Sequence, residues 1–556
     1  MIFGKRFFAS EIGRGENSNV CGAPRTVGFV FFHIVHYEFC GAFAFCILNS
    51  VRRFLLKVGL YTLGCKVSSY ETEAVAEEFE RAGFEIAPFE DVCDVYVINT
   101  CTVTAESDAK SRKYIRRAIR KNSEGIVIVI GCYSQRAPSE VAAISGVSAV
   151  IGTADKLSAV KIAQKLLGEG DDVGAASTPE NGPKGTSCGS EISGGEGTGK
   201  KSCGSEISGG ECAGKKSCGS VISGGECADK QTGSPKKRGG CRVVNVGVLA
   251  GAKFEDMKIS RAPRTRGYVK IEDGCDCKCT YCAISAARGP VRSKQPSDVL
   301  SEVKALYAGD TKEIVLTGIE TGSYGRDLGC GVTLASLIEM LDREGACERI
   351  RLGSMAPELI GRDFIEQVAK TRIMVPHFHV SMQSGSNNVL KRMKRRYTRE
   401  RALENIKRIK KYIPGCTFTA DLMVGFPGES EEDFLDTVRF VKEAGLLDAH
   451  VFAYSKREGT EAAGMDDQIA DEVKKERSAR LIAAKNRMRD EVLSEIVELG
   501  KPLSTILESR VGGEFSGHSD SYVEVRVKCH GGVSGECVLV KPLYHKGGVI
   551  HGEIIT

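Results

Sequence analysis

The sequence predicts an α/β protein: an N-terminal parallel-sheet domain, a partial (β/α) barrel, and a small C-terminal β-barrel. Three observations predict it. From Lys57 onward, short apolar strands alternate with amphipathic helices, the pattern of a parallel sheet covered on both faces. A second run of the same alternation spans about Arg264 to Glu476. From about Gly500 the helices give way to short β-like runs broken by glycine-rich turns.

The 556 residues suffice for three or four domains, each able to bury a core. Residues 1–56 form an atypical extension. Val27 to Val51 is largely apolar, but His33, His36 and Glu38 interrupt it, which a membrane span avoids. The expectation is a mis-assigned upstream start, with a membrane anchor as the alternative reading. Residues 57–168 then carry strands at Val58–Leu63, Val95–Asn99 and Ile126–Ile130. Helices are expected at Tyr70–Ala82, at Ala105–Lys121 and from Pro138. Cys65, Cys101 and Cys132 stand just beyond strand ends, where such sheets place their ligand crevice. One βα unit separates each pair, so the three thiols can converge at one edge. Any one of them alone reads as a small buried hydrophobe; three at the same phase favour a metal site.

Residues 169–245 are a low-complexity insertion containing near-copies of a 15-residue unit, such as KSCGSEISGGECAGK at 201–215 and KSCGSVISGGECADK at 216–230. With few large apolar side chains they cannot bury a core, so a flexible linker is expected. Residues 246–480 hold strands at Gly267–Ile271, Ile314–Thr317, Phe378–Met382, Thr417–Val424 and His450–Tyr454. Helices between them include Arg399–Tyr412 and Glu431–Ala444. The long charged helix Asp471–Leu499 leads into residues 481–556, whose β-like runs are Thr505–Glu508, Tyr522–Val527 and Cys537–Lys541.

The chemistry is concentrated in Cys275-Asp-Cys-Lys-Cys279-Thr-Tyr-Cys282, which follows the first strand of the second run. Cys275, Cys279 and Cys282 fall at CxxxCxxC spacing, whereas Cys277 matches neither interval. A [4Fe–4S] cluster normally takes four cysteines, so three leave one iron open for a small molecule. A zinc knuckle would want a fourth ligand nearby, and the nearest cysteines, Cys241 and Cys330, belong to no CxxC or CxxH pair. The chain has 22 cysteines, which fit metal-bound thiolates in a reducing cytosol better than disulfides in a long α/β chain. The net charge of +5 is compatible with nucleic acid without pointing to it.

With both cysteine sets in view, the chain resembles the methylthiotransferases of the radical S-adenosylmethionine superfamily. The residues that carry the resemblance are TLGCKVSSYETE at 62–73, VINTCTVT at 97–104, IGCYSQ at 130–135 and RTRGYVKIEDGCDCKCTYC at 264–282. LTGIETGSYG at 316–325, QSGSNNVLKRMKRRYT at 383–398 and DLMVGFPGE at 421–429 extend it. LGCKV followed by YETE resembles the branch acting on N6-threonylcarbamoyladenosine in tRNA. GHSDSYVEV at 517–525 resembles the RNA-binding TRAM barrel.

The resemblance implies a flavodoxin-like first domain and two [4Fe–4S] clusters. Cys65, Cys101 and Cys132 would hold the auxiliary one, and Cys275, Cys279 and Cys282 the one that cleaves S-adenosylmethionine. Tyr281, Glu320, Gly425, Phe426, Pro427 and Gly428 would lie against that cofactor. No side-chain acid or base is required: a radical carried by the cofactor would activate the unactivated C–H at carbon 2 of the purine. The tRNA anticodon loop and a reducing donor such as flavodoxin or ferredoxin would be partners, in the cytoplasm, with no stable membrane association. Lys391–Arg396 (KRMKRR) reads equally as a phosphate contact or as a charged helix face. The chain departs from the family pattern at Ser285, Ala286, Glu320, Ala356, Ser381 and Ala453, which would reshape the substrate pocket. Two alternatives stand beside this reading: the same chemistry on isopentenyladenosine or on a ribosomal protein aspartate, and a non-catalytic Fe–S RNA-binding protein.

Overall fold

The computed structural model describes residues 56–168, 241–262, 265–528, 531 and 533–555. The extension at 1–55 and the repeats at 186–230 lie outside the described residues. The first unit is a six-stranded sheet of β1 (Lys57–Thr62), β2 (Glu85–Ala87), β3 (Val95–Thr100), β4 (Ile126–Gly131), β5 (Ala149–Ile151) and β6 (Val243–Asn245). Its order is β2-β1-β3-β4-β5-β6 and every pairing is parallel. Helices α1 (Lys66–Arg81), α2 (Ala105–Lys121), α3 (Cys132–Arg136), α4 (Pro138–Ala142) and α5 (Ser158–Leu166) cover it. β3 and β4 are buried along their whole length, as a doubly covered parallel sheet demands.

α1 begins at Lys66, four residues before the periodicity places it. Ser68 and Ser69 belong to no apolar stripe, yet they lie within the helix and bond backwards in it. The Ser69 hydroxyl donates to the Cys65 carbonyl and the Thr72 hydroxyl to the Ser68 carbonyl. β5 and β6 are too short to show a period, and β6 reaches the sheet from beyond the insertion.

The second unit is an open barrel. β7 (Arg266–Lys270), β10 (Glu313–Thr317) and β11 (Arg349–Leu352) pair in parallel. So do β12 (Ser354–Met355), β13 (His377–Gln383), β14 (Thr417–Val424) and β15 (Asp448–Ala453). β11 and β12 are separated by Gly353 alone, so the two sheets continue each other around one lumen. The small pair β8 (Glu272–Asp273) and β9 (Arg292–Ser293) stands above it. α6 (Ile284–Arg288) packs against α3, and the outer face carries α7 (Pro296–Ala308), α8 (Leu334–Arg343), α9 (Arg362–Val368), α10 (Asn387–Arg392), α11 (Arg399–Tyr412) and α12 (Glu431–Ala444). Thr398 and Ser430 cap α11 and α12 with their hydroxyls.

One apolar core runs through both units, from Val58 and Phe79 to Val269, Ile314 and Phe418. Polar contacts seal the seam: the Tyr70 hydroxyl lies 2.6 Å from the Met257 carbonyl and 2.8 Å from Glu302, and Glu77 accepts from the Ser260 N–H. α13 (Asp471–Leu499) then leads to a closed barrel of β16 (Leu503–Val511), β17 (Glu514–Ser519), β18 (Glu524–Lys528), β19 (Cys537–Lys546) and β20 (Val549–Ile555). Closure removes the edges that a five-stranded open sheet would expose. The sequence pattern misses β17 and β20, whose Gly517 and Gly552 interrupt the alternation.

Candidate active site

The cysteine loop owes its shape to the β8–β9 pair, in which Glu272 faces Ser293 and Asp273 faces Arg292. Residues 274–291 are the excursion between the two strands. Gly274 opens it at φ +88°, and a Cβ there would stand 2.0 Å from the Pro290 carbonyl oxygen, so only glycine fits. The Cys275 N–H donates to the Gly289 carbonyl at 2.9 Å. On the opposite side the Thr280 N–H and hydroxyl donate to the carbonyls of Met393 (3.2 Å) and Arg392 (3.0 Å). Pinned at both ends, the loop turns Cys275, Cys279 and Cys282 into one cavity of about 330 Å³ at the carboxyl ends of the strands.

Tyr281 and Glu320 line the same cavity. Burial lifts the Glu320 carboxyl to about 7, opposed by the Ala356 N–H that it accepts at 3.1 Å. Gly425, Phe426, Pro427 and Gly428 stand behind the wall instead of in it. Phe426 is fully buried and packs edge-on against Tyr454, a lining residue, with ring centroids 5.6 Å apart. Cys277 faces the cavity too, so position does not set it apart from the other three thiols. Its thiol is drawn down to about 6, first by the hydrogen bond with the Cys275 thiol and then by Arg396 and Arg395.

Arg395 is the site residue that sequence pattern misses. It donates Nη1 to Cys279 Sγ (3.2 Å), Nη2 to the Ser381 carbonyl (3.0 Å) and Nε to the Tyr397 hydroxyl (3.0 Å). Its inward turn follows from the end of α10. Lys394 takes φ +57°, and the Arg395 N–H reaches back to the Leu390 carbonyl at 2.9 Å, the Schellman pattern. KRMKRR is therefore neither all phosphate contact nor all solvated face. Arg395 is internal, Lys394 pairs with Glu461 and Arg392 with Asp467 (2.5 Å), while Lys391 and Arg396 stay exposed.

The other three cysteines lie at the ends of adjacent strands. Cys65 caps α1, Cys101 follows β3, and Cys132 opens α3 directly after β4. Gly131 makes that last turn at φ +100°, where a Cβ would lie 2.4 Å from Asn99 Oδ1 and 2.7 Å from the Thr100 carbonyl. Val103 and Thr104, from the loop just past Cys101, line the Cys275 cavity, so the two cysteine sets adjoin. Arg288, six residues past Cys282, donates Nε to Cys132 Sγ at 3.1 Å. The same guanidinium holds Glu71 (Nη2–Oε2 3.1 Å) and Asp273 (3.3 Å). Around them Lys156, Lys270 and Arg292 complete a buried cluster with Glu255, one carboxylate short of neutrality. A Cys132 thiolate would supply the missing charge. Burial pushes the free thiol up to about 11 while Arg288 works against it, and coordination to a metal removes the proton outright.

Among the described residues no three His, Cys, Asp or Glu side chains converge on a single ion. A four-iron cluster presents separate iron atoms and asks only that its thiols face a common space, which Cys275, Cys279 and Cys282 do.

Residues 269–441 match the radical SAM superfamily, and residues 57–152 match uncharacterized protein family UPF0004. The chain is 38% identical over 502 residues to the threonylcarbamoyladenosine tRNA methylthiotransferase of Bacillus subtilis, covering 89% of this chain and 95% of that one. The chain belongs to the radical SAM methylthiotransferase family. The tRNA-2-methylthio-N(6)-dimethylallyladenosine synthase of Acetivibrio thermocellus is 35% identical to this methylthiotransferase over 316 residues, 56% of this chain and 65% of that one. Among solved structures, the radical S-adenosylmethionine methyltransferase of Kitasatospora setae with cobalamin and a [4Fe–4S] cluster bound is 14% identical, with a TM-score of 0.47. It covers 73% of this chain and 77% of that one. The methylthiotransferase family works with [4Fe–4S] chemistry and S-adenosylmethionine, and the thiol donors of this cavity suit that cofactor pair.

Proposed function

We propose that this methylthiotransferase places a methylthio group on carbon 2 of N6-threonylcarbamoyladenosine at position 37 of tRNA, using two [4Fe–4S] clusters. The observation that carries the proposal is the adjacency of the two cysteine sets: Val103 and Thr104, from the loop just past Cys101, stand in the wall of the Cys275 cavity. The substrate follows the relative that matches nearly the whole chain; the dimethylallyl relative matches little more than half of it.

When bound, the clusters and S-adenosylmethionine supply the one-electron chemistry that an unactivated C–H requires and the sulfur that replaces the hydrogen. Cys275, Cys279 and Cys282 would hold one cluster and Cys65, Cys101 and Cys132 the other. The rest of the chain positions and excludes. Arg395 fixes the Cys279 sulfur by a hydrogen bond and ties it to the Ser381 backbone. Ile319, Met423 and Phe452 give the chamber an apolar wall, which keeps water from the reacting carbon. Tyr281 and Glu320 face the same space and would orient S-adenosylmethionine. An anticodon-loop base is already partly unstacked, so turning it into the lumen costs less than from a duplex. Among the described residues no helix is long and apolar enough to cross a membrane. A cytoplasmic location and a donor such as flavodoxin or ferredoxin belong to the same reading.

Mass analysis of tRNA nucleosides from a strain lacking the protein should show threonylcarbamoyladenosine without its 2-methylthio group. An unchanged nucleoside profile refutes the substrate. Anaerobic reconstitution should give roughly eight iron atoms per chain, twice the content of one [4Fe–4S] cluster. Half that number refutes the second centre.

A further inference from the structure

Beyond the cysteine cavity the lumen continues into further space, which the chemistry above touches only at Cys65. One cavity of about 500 Å³ takes in Cys65, Lys66, His377, His379, Asp421 and Tyr522. Another of about 650 Å³, toward the C-terminal barrel, takes in Lys66, Arg266, Arg351, Glu508 and Tyr522. The two meet at Lys66 and Tyr522, and Asp421 is common to the first of them and the cysteine cavity. A ligand anchored beside Lys66 can therefore extend toward the cysteines without leaving the lumen.

The charges that face this space decide what it can hold. Every carboxylate on its walls has a basic side chain at ion-pair distance, that of Asp421 being a histidine, which carries charge only when protonated. Asp421 lies 3.1 Å from His379 Nε2, Asp448 pairs with Lys485 and Arg489, Glu508 with Arg266 and His518, and Asp310 with Lys312. The cations are not all matched. Among the described residues the Lys66 ammonium has no hydrogen bond and no ion pair; the charges around it are those of Arg351 and Arg266 and, opposing them, of Asp421 and Glu313. Arg351 is 1% exposed; it gives Nε and Nη2 to Glu313 at 2.6 and 2.9 Å and leaves Nη1 without a partner. A half-buried ammonium beside a buried guanidinium N–H is costly unless an anion completes it.

Resting on the substrate proposed above, we infer that Lys66, with Arg351 behind it, binds the carboxylate of the threonylcarbamoyl group on the target base. A backbone phosphate offers the same anionic oxygens. The carboxylate fits better because a base turned into the lumen leads with its ring and substituent, while the sugar–phosphate chain stays nearer the mouth. A neutral dimethylallyl group would leave Lys66 unmatched, so the same residue selects against it. Tyr522, held against the His377 ring at 4.5 Å, closes the pocket on the side of the small barrel.

The test is binding of the anaerobically reconstituted full chain to an anticodon stem-loop RNA in three forms. These carry threonylcarbamoyladenosine, its methyl ester, or plain adenosine. The wild type should favour the free acid over both others by roughly 10- to 100-fold, the usual range for a charge-assisted contact. Lys66→Met should remove that preference with little change toward the plain RNA, and Lys66→Arg should retain most of it. The ester needs no variant, so it reads the contact even if a substitution disturbs the fold. Equal weakening of all three RNAs by Lys66→Met would assign Lys66 to a phosphate and overturn the inference. A preference for the acid that survives Lys66→Met would overturn it as well. If the wild type does not distinguish the acid from plain adenosine, the substrate itself is wrong, a result separable from either of these.

Discussion

Cys277 and Cys279 sit two positions apart on one loop and face one cavity, yet their prospects differ. Cys279 receives a hydrogen bond from Arg395 and falls at ligand spacing; Cys277 does neither. Cys279→Ala should therefore abolish the iron bound at this loop, whereas Cys277→Ala should keep it. Iron counting and the cluster's visible absorption after anaerobic reconstitution check both, and equal loss in the two variants would make Cys277 a ligand. At this scale the sequence was informative wherever chemistry dictates spacing. Cys275, Cys279, Cys282, Tyr281 and Glu320, which share one cavity, could all be picked out from motif alone. Arg395 could not, because its inward direction depends on a left-handed backbone at Lys394 that no charge pattern records. Gly425 to Gly428, read from motif as a cofactor loop, do not line the cavity; Phe426 packs against its lining residue Tyr454.

Among the elements, α6 and α3 carry the joint between the two cysteine sets. Arg288 leaves α6, crosses to the Cys132 sulfur at the start of α3, and holds Glu71 and Asp273 on the way. Despite burial, Arg288 with Lys156 and Lys270 keeps the Glu71 carboxyl well below its usual range, and Lys270 with Arg288 does the same for Asp273. Arg288→Met would take one buried donor from each of Glu71 and Asp273, which keep Lys156, Lys270 and Arg292, a defect of about 1–3 kcal/mol. The expected outcome is a clear fall in unfolding temperature together with loss of iron from the Cys132 set, and Arg288→Lys should recover only part of either. A variant as stable as the parent would show that Lys156 and Lys270 carry the cluster alone. Element boundaries were legible where a long apolar period exists, as in α11, α12 and α13. They were not legible where local hydrogen bonding replaces the period, as at the start of α1, or where a strand has three residues and gains its stability from neighbours.

For the whole molecule, the small barrel is tied to the lumen through Tyr522, which takes φ +65° and stacks on His377 at 4.5 Å. His377 is buried, with Nε2 3.0 Å from the Thr419 hydroxyl and Nδ1 unpartnered. Burial, then the charges of Arg351 and His379, hold its pKa well below the usual 6.5. The folded state thus refuses a proton that the unfolded chain accepts. The stabilising contribution is intact above pH 6.5 and drains away as the pH falls below it, by up to about 1.4 kcal/mol per pH unit. Thermal unfolding followed between about pH 7.5 and 5.5 should show a steeper acid-side decline in the wild type than in His377→Leu; parallel declines would assign the acid sensitivity elsewhere. The first sheet has a consequence of a different kind. Its outermost strand, β6, is supplied by chain that returns after residues 169–240, and Asn245 bonds Ser158 and Asp155 beside the point of departure. Both ends of the interruption are thus fastened to one rigid frame. For any loop without structure of its own, doubling the length between two fixed ends costs only about 0.6 kcal/mol in closure entropy. Copies of the 15-residue unit can accordingly be gained or lost by lineages almost without thermodynamic penalty, and selection on their number, where it acts, acts on something other than folding.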